Sequence, residues 1–181
     1  MSWSQRARRI RVPLGFVLAI VFLVLAKPTV RSLLWSLLLV LPGIATRASA
    51  AGHVKKNREL TTTGPYAYTR NPLYLGSTLI GVGFAVAAHT WWLALALLIM
   101  FLAIYLPVIR SEEEFLRATF PEFDDYVSKV PRLLPRFTPA TRERGSFSTA
   151  LYRKHREYNA IIGSTAIYAA LIVKMALLHQ A

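Results

Sequence analysis

Gly64-Pro65-Tyr66-Ala67-Tyr68-Thr69-Arg70-Asn71-Pro72-Leu73-Tyr74-Leu75-Gly76 is the stretch on which the reading of this chain turns. The residue before a proline is driven toward extended backbone, so Gly64-Pro65 and Asn71-Pro72 read as breaks in regular structure. Pro72 suits the first turn of a helix, where its missing N–H would have no partner anyway. The apolar run that follows extends from Leu73 to Ala88. A polar loop with three tyrosines, an arginine and an asparagine is thereby set at the mouth of a membrane helix. Tyrosines at a water–lipid boundary can form a plain aromatic belt. The tight spacing of Gly-Pro-Tyr and Asn-Pro-Leu-Tyr favours a binding loop instead.

Upstream of this loop lie two apolar segments. Arg6, Arg8, Arg9 and Arg11 precede Val12 to Ala26, a pattern shared with secretory signals, for which Val24-Leu25-Ala26 would be the cleavage sequence. Lys27 and Pro28 argue against cleavage, and the segment reads as a first membrane helix, short for a full span. Ser32 to Ala45 forms a second, continuing through Arg47 to Ala51, with a bend expected at Pro42-Gly43. The basic stretch His53 to Thr63 then leads into the loop. Downstream, Gly76, Gly81 and Gly83 give the third helix a smooth face for close helix contact. Trp91 to Ile109 is an uncharged fourth span. Arg110 to Val130 reads as two short amphipathic helices divided by Pro121 and lying against the membrane surface. Pro131 to Ala150 has no periodicity and reads as a surface linker. After a second basic anchor, Arg153 to Arg156, a fifth apolar helix spans about 158–179, with Lys174 placed to snorkel.

Composition agrees with this plan. Of 181 residues 54% are apolar and 17% charged, below the roughly 25% charged of soluble domains. The net charge of +13 sits at the ends of apolar runs, as the positive-inside rule requires, and not in a nucleic-acid-binding pattern. Cysteine is absent, which excludes disulfides, thiolate nucleophiles and cysteine metal sites. His53, His89, His155 and His179 are far apart, and nothing in the sequence argues for a metal site. No Gly-x-Gly-x-x-Gly or Gly-Lys-Thr pattern supports a nucleotide site of Rossmann or phosphate-loop type. The whole chain, 1–181, reads as one all-α membrane domain of about five transmembrane helices, with its pocket facing the cytoplasm. His89-Thr90 and Ala181 fall on the far side, because no Lys or Arg lies between the third and fourth spans.

The third and fourth helices form an antiparallel hairpin, so the Gly64–Gly76 loop should neighbour Glu112-Glu113-Glu114 at the end of the fourth. Three carboxylates at a helix C-terminus oppose the helix dipole and call for partners. Arg110, at helical spacing from Glu113 and Glu114, would make an ion-pair patch. The functional alternative is a cationic or hydroxyl-rich ligand, met by the carboxylates and by the faces of Tyr66, Tyr68 and Tyr74.

Gly64-Pro65-Tyr66, Arg70-Asn71-Pro72-Leu73-Tyr74, the paired glutamates and Val130-Pro131-Arg132 together resemble the isoprenylcysteine carboxyl methyltransferase and phospholipid methyltransferase superfamily. The core of the resemblance covers about 53–136. It implies an integral membrane enzyme that binds S-adenosylmethionine at the cytoplasmic face and methylates a lipophilic substrate, with lipid as its other partner and neither metal nor nucleic acid. Carried over by position, Leu60, Tyr66, Asn71, Pro72, Leu73, Tyr74, Glu112 and Glu113 would line the cofactor pocket. Arg70, Arg110 and Glu113 would act on the acceptor. Two positions depart from the pattern. Asn71 stands where the family has histidine, and an amide does not titrate near neutrality. Val108 stands where carboxyl methyltransferases often place an arginine, with Arg110 the nearest substitute.

Methyl transfer from a sulfonium needs alignment and exclusion of water more than acid–base assistance. A carboxylate acceptor requires no general base, whereas an ammonium must first lose a proton. The expectation is therefore carboxyl O-methylation of a prenylcysteine-like or other lipidic acid, with Arg70, Arg110 and Arg132 supplying fixed positive charge. The rivals are N-methylation of a phospholipid amine, a steroid-type membrane reductase using a nicotinamide, and a non-enzymatic membrane or lipid-binding protein retaining the fold.

Overall fold

A computed structural model describes residues 3–55, 59–143 and 145–178. The basic residues Lys56 and Arg58 and the carboxyl-terminal Ala181 lie outside them. The regular structure of the described residues is all helical: α1 (Trp3–Leu25), α2 (Val30–His53), a 3₁₀ turn (Gly64–Ala67), α3 (Pro72–Ala88), α4 (Trp91–Met100), a π-helical turn (Phe101–Tyr105), α5 (Leu106–Thr119), α6 (Phe123–Lys129), α7 (Thr149–Lys154) and α8 (Tyr158–Leu178).

Among the described residues three helices are long and apolar enough to cross a membrane: Val30–His53, the continuous Trp91–Thr119, and Tyr158–Leu178. The apolar part of α1, Pro13–Leu25, and α3, Pro72–Ala88, are shorter. At ~1.5 Å per residue the 17 residues of α3 reach about 25 Å, against a hydrocarbon core of about 30 Å. Large apolar side chains cover the outer faces, among them Phe16, Ile20, Trp35, Leu38, Trp92 and Ile162. An outward apolar perimeter of this kind suits lipid rather than water.

One boundary differs from expectation, because a helix continues until something stops it. The helix of the fourth span does not end at Ile109 but runs on to Thr119, because neither Pro nor Gly lies between Arg110 and Pro121. Glu112, Glu113 and Glu114 therefore sit inside a helix and not at its C-terminal end. As expected, α2 continues as helix through Pro42 and Arg47, ending at His53. Pro121 does divide α5 from α6, and Pro72 does open α3.

The centre of the packing is α2 against α3. A Cβ on Gly43 would come within 2.8 Å of the Gly76 carbonyl oxygen, and one on Gly83 within 2.5 Å of Val40 Cγ2. The two backbones thus meet where neither has a side chain. Gly81 instead faces Leu97 across the α3–α4 hairpin. At the end remote from the Gly64–Gly76 loop the helices are tied by polar bonds and a shared core. Lys27 N–H donates to Ala88 O (2.8 Å) and Ser32 Oγ to Ala87 O (3.0 Å). Lys174 Nζ caps the end of α1 through Leu23 O and Val24 O. Phe22, Leu33, Phe84, Leu93 and Leu171 close this end with apolar contact among α1, α2, α3, α4 and α8.

The segment after α6, expected as a free surface linker, is irregular but tied down. Arg136 N–H donates to Tyr68 O (3.0 Å), Ala140 N–H to Ala67 O (2.9 Å) and Ser148 N–H to Gly52 O (2.8 Å). It straps the 3₁₀ turn to the end of α2. Composition could not reveal this because the bonds are made by main-chain groups.

The close α2–α3 approach gives a direct test. Gly76→Leu drives a side chain into Gly43 O and Arg47, and overpacking of this kind costs about 1–3 kcal/mol. Gly163→Leu on α8, where a Cβ meets nothing within 4 Å, should be near neutral. Thermal unfolding in detergent should show a lower midpoint for Gly76→Leu only.

Candidate functional site

Gly64 has φ +59°, a left-handed conformation that a side chain disfavours. A Cβ there would also meet the His53 ring at 2.5 Å. This turn lets the chain double back under α2, and Thr69, Arg70 and Asn71 then face the segment after α6. Arg70 N–H donates to Pro131 O (2.9 Å), and Thr69 Oγ1 to Arg132 O (3.2 Å) and Leu133 O (3.0 Å). The Tyr126 hydroxyl donates to Tyr66 O (2.7 Å). Burial pushes the phenols of Tyr66 and Tyr126 well above their usual range, so both remain protonated donors at physiological pH.

Glu113 stands at the middle of this arrangement. Its Oε1 accepts from Arg70 Nε (3.1 Å) and Asn71 Nδ2 (3.2 Å), and its Oε2 from Arg132 Nε (2.9 Å) and Nη2 (2.7 Å). The Arg70 and Glu113 side chains are only 9% and 8% exposed. Arg70 Nη1 also donates to Val130 O (2.7 Å) and Val127 O (3.1 Å). Asn71 Nδ2 uses its second hydrogen on Arg132 O (3.0 Å). This explains the departure from histidine. A neutral amide nitrogen donates twice, whereas a neutral imidazole donates once.

A cleft of about 1150 Å³ opens beside the cluster. Of the residues singled out in the sequence, Leu60, Tyr66, Arg70, Asn71, Pro72, Leu73, Tyr74 and Glu112 line it. Glu113 is buried behind the lining. Tyr68 is exposed outside it, and Glu114 faces solvent. Arg110 is exposed and joins neither cleft nor cluster; the arginines that pair Glu113 are Arg70 and Arg132. Of the three arginines expected to supply fixed positive charge, Arg70 and Arg132 pair with Glu113 and Arg110 lies exposed. Val108 is 1% exposed and packs with Ile104, Leu14 and Tyr74, an apolar setting with no room for the arginine of the carboxyl methyltransferase pattern.

Several lining residues were not singled out from the sequence. Tyr105 meets Tyr74 edge to face, at 5.7 Å between centroids and 90° between planes. It closes the π-helical turn, a wider turn often found at functional sites. The Tyr74 hydroxyl donates to Glu112 Oε1 (3.0 Å). Arg47, from α2, donates to Leu73 O (3.4 Å) and to Ser77 Oγ, and pairs with Glu157 through Nε (3.2 Å) and Nη2. Glu157 and His155 come from the start of the α8 region, and His155 Nδ1 lies 3.0 Å from Ala51 O. A charge inside an otherwise apolar, alanine-rich helix was the available signal for Arg47. Among the described residues no group of three or more His, Asp or Glu side chains could hold a metal ion.

A family model described as phospholipid methyltransferase matches residues 14–122. The nickel-cobalt-cadmium resistance protein NccN of Alcaligenes xylosoxydans xylosoxydans is 36% identical over 110 residues, which cover 61% of this chain and 46% of that protein. The cobalt-zinc-cadmium resistance protein CzcN of Cupriavidus metallidurans is 36% identical over 84 residues, 46% of this chain and 39% of that protein. The chain thus spans less than half the length of the curated relatives it matches. No solved structure matches it significantly.

The geometry of Glu113 sets an unequal pair of outcomes. Glu113→Gln leaves the buried Arg70 guanidinium uncompensated, a change that costs about 3–5 kcal/mol. Glu114→Gln, on the exposed face, should change stability by less than about 0.5 kcal/mol. Denaturant titrations of both variants in detergent check the difference.

Proposed function

Because the chain belongs to the phospholipid methyltransferase family, we propose that it is a membrane-embedded enzyme that takes a methyl group from S-adenosylmethionine and transfers it to a lipid-soluble acceptor. The observation that carries this reading is the convergence of the Tyr66–Tyr74 loop and Glu112 on one cleft. Its volume exceeds the roughly 300–1,000 Å³ of a site for one drug-sized ligand, leaving room for a donor and part of an acceptor. The lining suits the cofactor. Glu112 offers a carboxylate to its hydroxyl or ammonium groups, the Tyr74–Tyr105 pair offers ring faces to a cation, and Leu60 and Leu116 offer apolar contact.

We assign Leu60, Tyr66, Asn71, Pro72, Leu73, Tyr74 and Glu112 to the cofactor. Glu113 and Arg70 act behind them as positioning residues that fix the loop. When bound, the cofactor supplies an already activated methyl group. The work left to the chain is to align donor with acceptor and to exclude water. The acceptor we favour is a carboxylate on a lipidic acid, prenylcysteine-like or otherwise, since it needs no base and Asn71 supplies none. The second reading, N-methylation of a phospholipid amine, draws on the family's description. The names of the two relatives concern resistance to metal ions, whereas our reading rests on the cleft and its lining.

We further propose a five-span topology in which α1 and α3 cross with the three longer helices, their shortness met by local thinning and snorkelling of flanking Arg and Lys. The cleft then faces the cytoplasm and the His89-Thr90 turn the opposite side. The chain has no cysteine, so Thr90→Cys gives a single label site. An impermeant thiol reagent should reach it only from the non-cytoplasmic side; labelling from the cytoplasm refutes the topology.

Methyl-labelled S-adenosylmethionine supplied with a farnesylated cysteine analogue and a mixed lipid extract tests the chemistry. Methyl esters release volatile methanol in mild base, whereas methylated amines keep their label. Base-stable label on phosphatidylethanolamine derivatives would replace the ester reading with the amine one. In the same assay Tyr74→Ala should raise the KM for the cofactor at least tenfold, equivalent to about 1.4 kcal/mol.

A further inference from the structure

Arg47 lies near the cleft end of α2, and its neighbours define a second space. An open groove of about 510 Å³ runs between α3 and α8, and shares Arg47, Ser77, His155 and Glu157 with the cleft. Its walls are Ile80 and Phe84 on one side and Ala160, Gly163 and Ile167 on the other. A Cβ on Gly163 would meet nothing within 4 Å, so this wall stands back from its neighbour. The rings of Phe84 and Tyr168, 5.5 Å apart, bring α3 and α8 together farther along. The groove thus has a charged mouth at the cleft, apolar walls and a narrowing at its far end.

Among the described residues two arginines line the cleft, Arg70 and Arg47. Arg70 is committed to Glu113 and two carbonyls, as described above. Arg47 is held on one side by Ser77 and Leu73 O of α3. Its remaining face is taken by the Glu157 carboxylate, through bonds from Nε and Nη2. Arg47 is 26% exposed and Glu157 9%. Glu157 immediately precedes α8 and belongs to the part of the chain beyond the family match. A planar guanidinium presents its paired donors equally well to any carboxylate or phosphate of the right approach. A carboxylate at the start of a helix is also favoured by the helix dipole when it leaves its partner.

We propose that Arg47 docks the oxyanion head of a lipid-soluble acceptor, that Glu157 holds this place until the head displaces it, and that the α3–α8 groove receives the first part of the hydrocarbon chain. This rests on the methyltransferase reading and gives it an acceptor side. Charge is conserved at Arg47, because one anion replaces another. The head arrives at the junction of groove and cleft, where the reacting oxygen can face the space lined by Tyr74 and Glu112. Arg47 thereby supplies on α2 the positive charge that Val108 does not supply on α5.

The test uses the full chain in phosphatidylcholine nanodiscs, with bound tritiated decanoate read by scintillation proximity. Displacement is compared for unlabelled decanoate, decyl phosphate, methyl decanoate and acetate. For the wild-type chain either charged amphiphile should displace at least tenfold more effectively than methyl decanoate or acetate, and their order tells carboxylate from phosphate. Arg47→Gln should abolish that preference. Glu157→Gln, which removes the competing anion, should lower the displacing concentration of decanoate about threefold or more. Equal displacement by acid and ester, or no change in Glu157→Gln, overturns the proposal, and the second variant decides the matter even where Arg47→Gln fails to fold. Calorimetric titration of the same samples with S-adenosylmethionine separates the two ideas. Loss of cofactor binding in the wild-type chain would remove the methyltransferase reading, whereas intact cofactor binding without anion preference would remove the role of Arg47 alone.

Discussion

Glu113 is a carboxylate inside a helix that enters the membrane, and its neutralisation organises the end of the molecule that carries the cleft. Taking such a group out of water costs several kcal/mol, which close partners must offset. Arg70 and Asn71 come from the loop ahead of α3, and Arg132 comes from the segment after α6. Two separate pieces of chain are therefore recruited to a charge on a third. Arg70 is buried and its pairing is little screened. Arg132 is 43% exposed and contributes a weaker, more hydrated contact. The lining of the cleft depends on this arrangement, because Tyr66 and Tyr74 flank the residues that Glu113 holds.

Beside this cluster, where α2 meets α3, the fold relies on shape rather than charge. The close approach of Gly43 and Gly76 lets α2 and α3 pack backbone to backbone, and it carries Arg47 to the mouth of the cleft. A side chain at either glycine would separate the helices and withdraw Arg47 from Ser77 and Leu73 O. Close packing in one layer thus fixes electrostatics in the next. The π-helical turn has a comparable effect on the α4–α5 helix. It sets the register between the apolar face above and Glu112-Glu113 below, with Tyr105 turned toward Tyr74.

Much of this was legible in the sequence because it depends on local rules. Pro72 opened a helix, Pro121 divided two, and the uncharged run from Trp91 had to be a long apolar helix. The proximity of the Tyr66–Tyr74 loop to the glutamates followed from the α3–α4 hairpin alone. What was not legible depends on long-range partners. Nothing local to Arg110 distinguishes it from Arg132, yet only Arg132 reaches Glu113, because the chain after α6 turns back on main-chain bonds. Glu157, just past the basic stretch Arg153 to Arg156, has no local feature that singles it out; the packing of α8 beside α2 brings it to Arg47. The continuation of α5 through three glutamates was hidden by reading charge as a boundary, when the helix had no geometric reason to stop.

The strap from 131 to 148 holds the loop through main-chain bonds, from Arg136 to Tyr68, from Ala140 to Ala67 and from Ser148 to Gly52. Peptide groups are the same at every position, so these bonds are indifferent to which side chains the strap carries. They are not indifferent to spacing. Away from Arg132, whose side chain pairs with Glu113, a non-proline substitution leaves these three bonds in place, while an insertion or deletion of a single residue between Arg136 and Ala140 would put the amides out of step with the carbonyls of Ala67 and Tyr68. The segment that looked least constrained by composition is constrained in length.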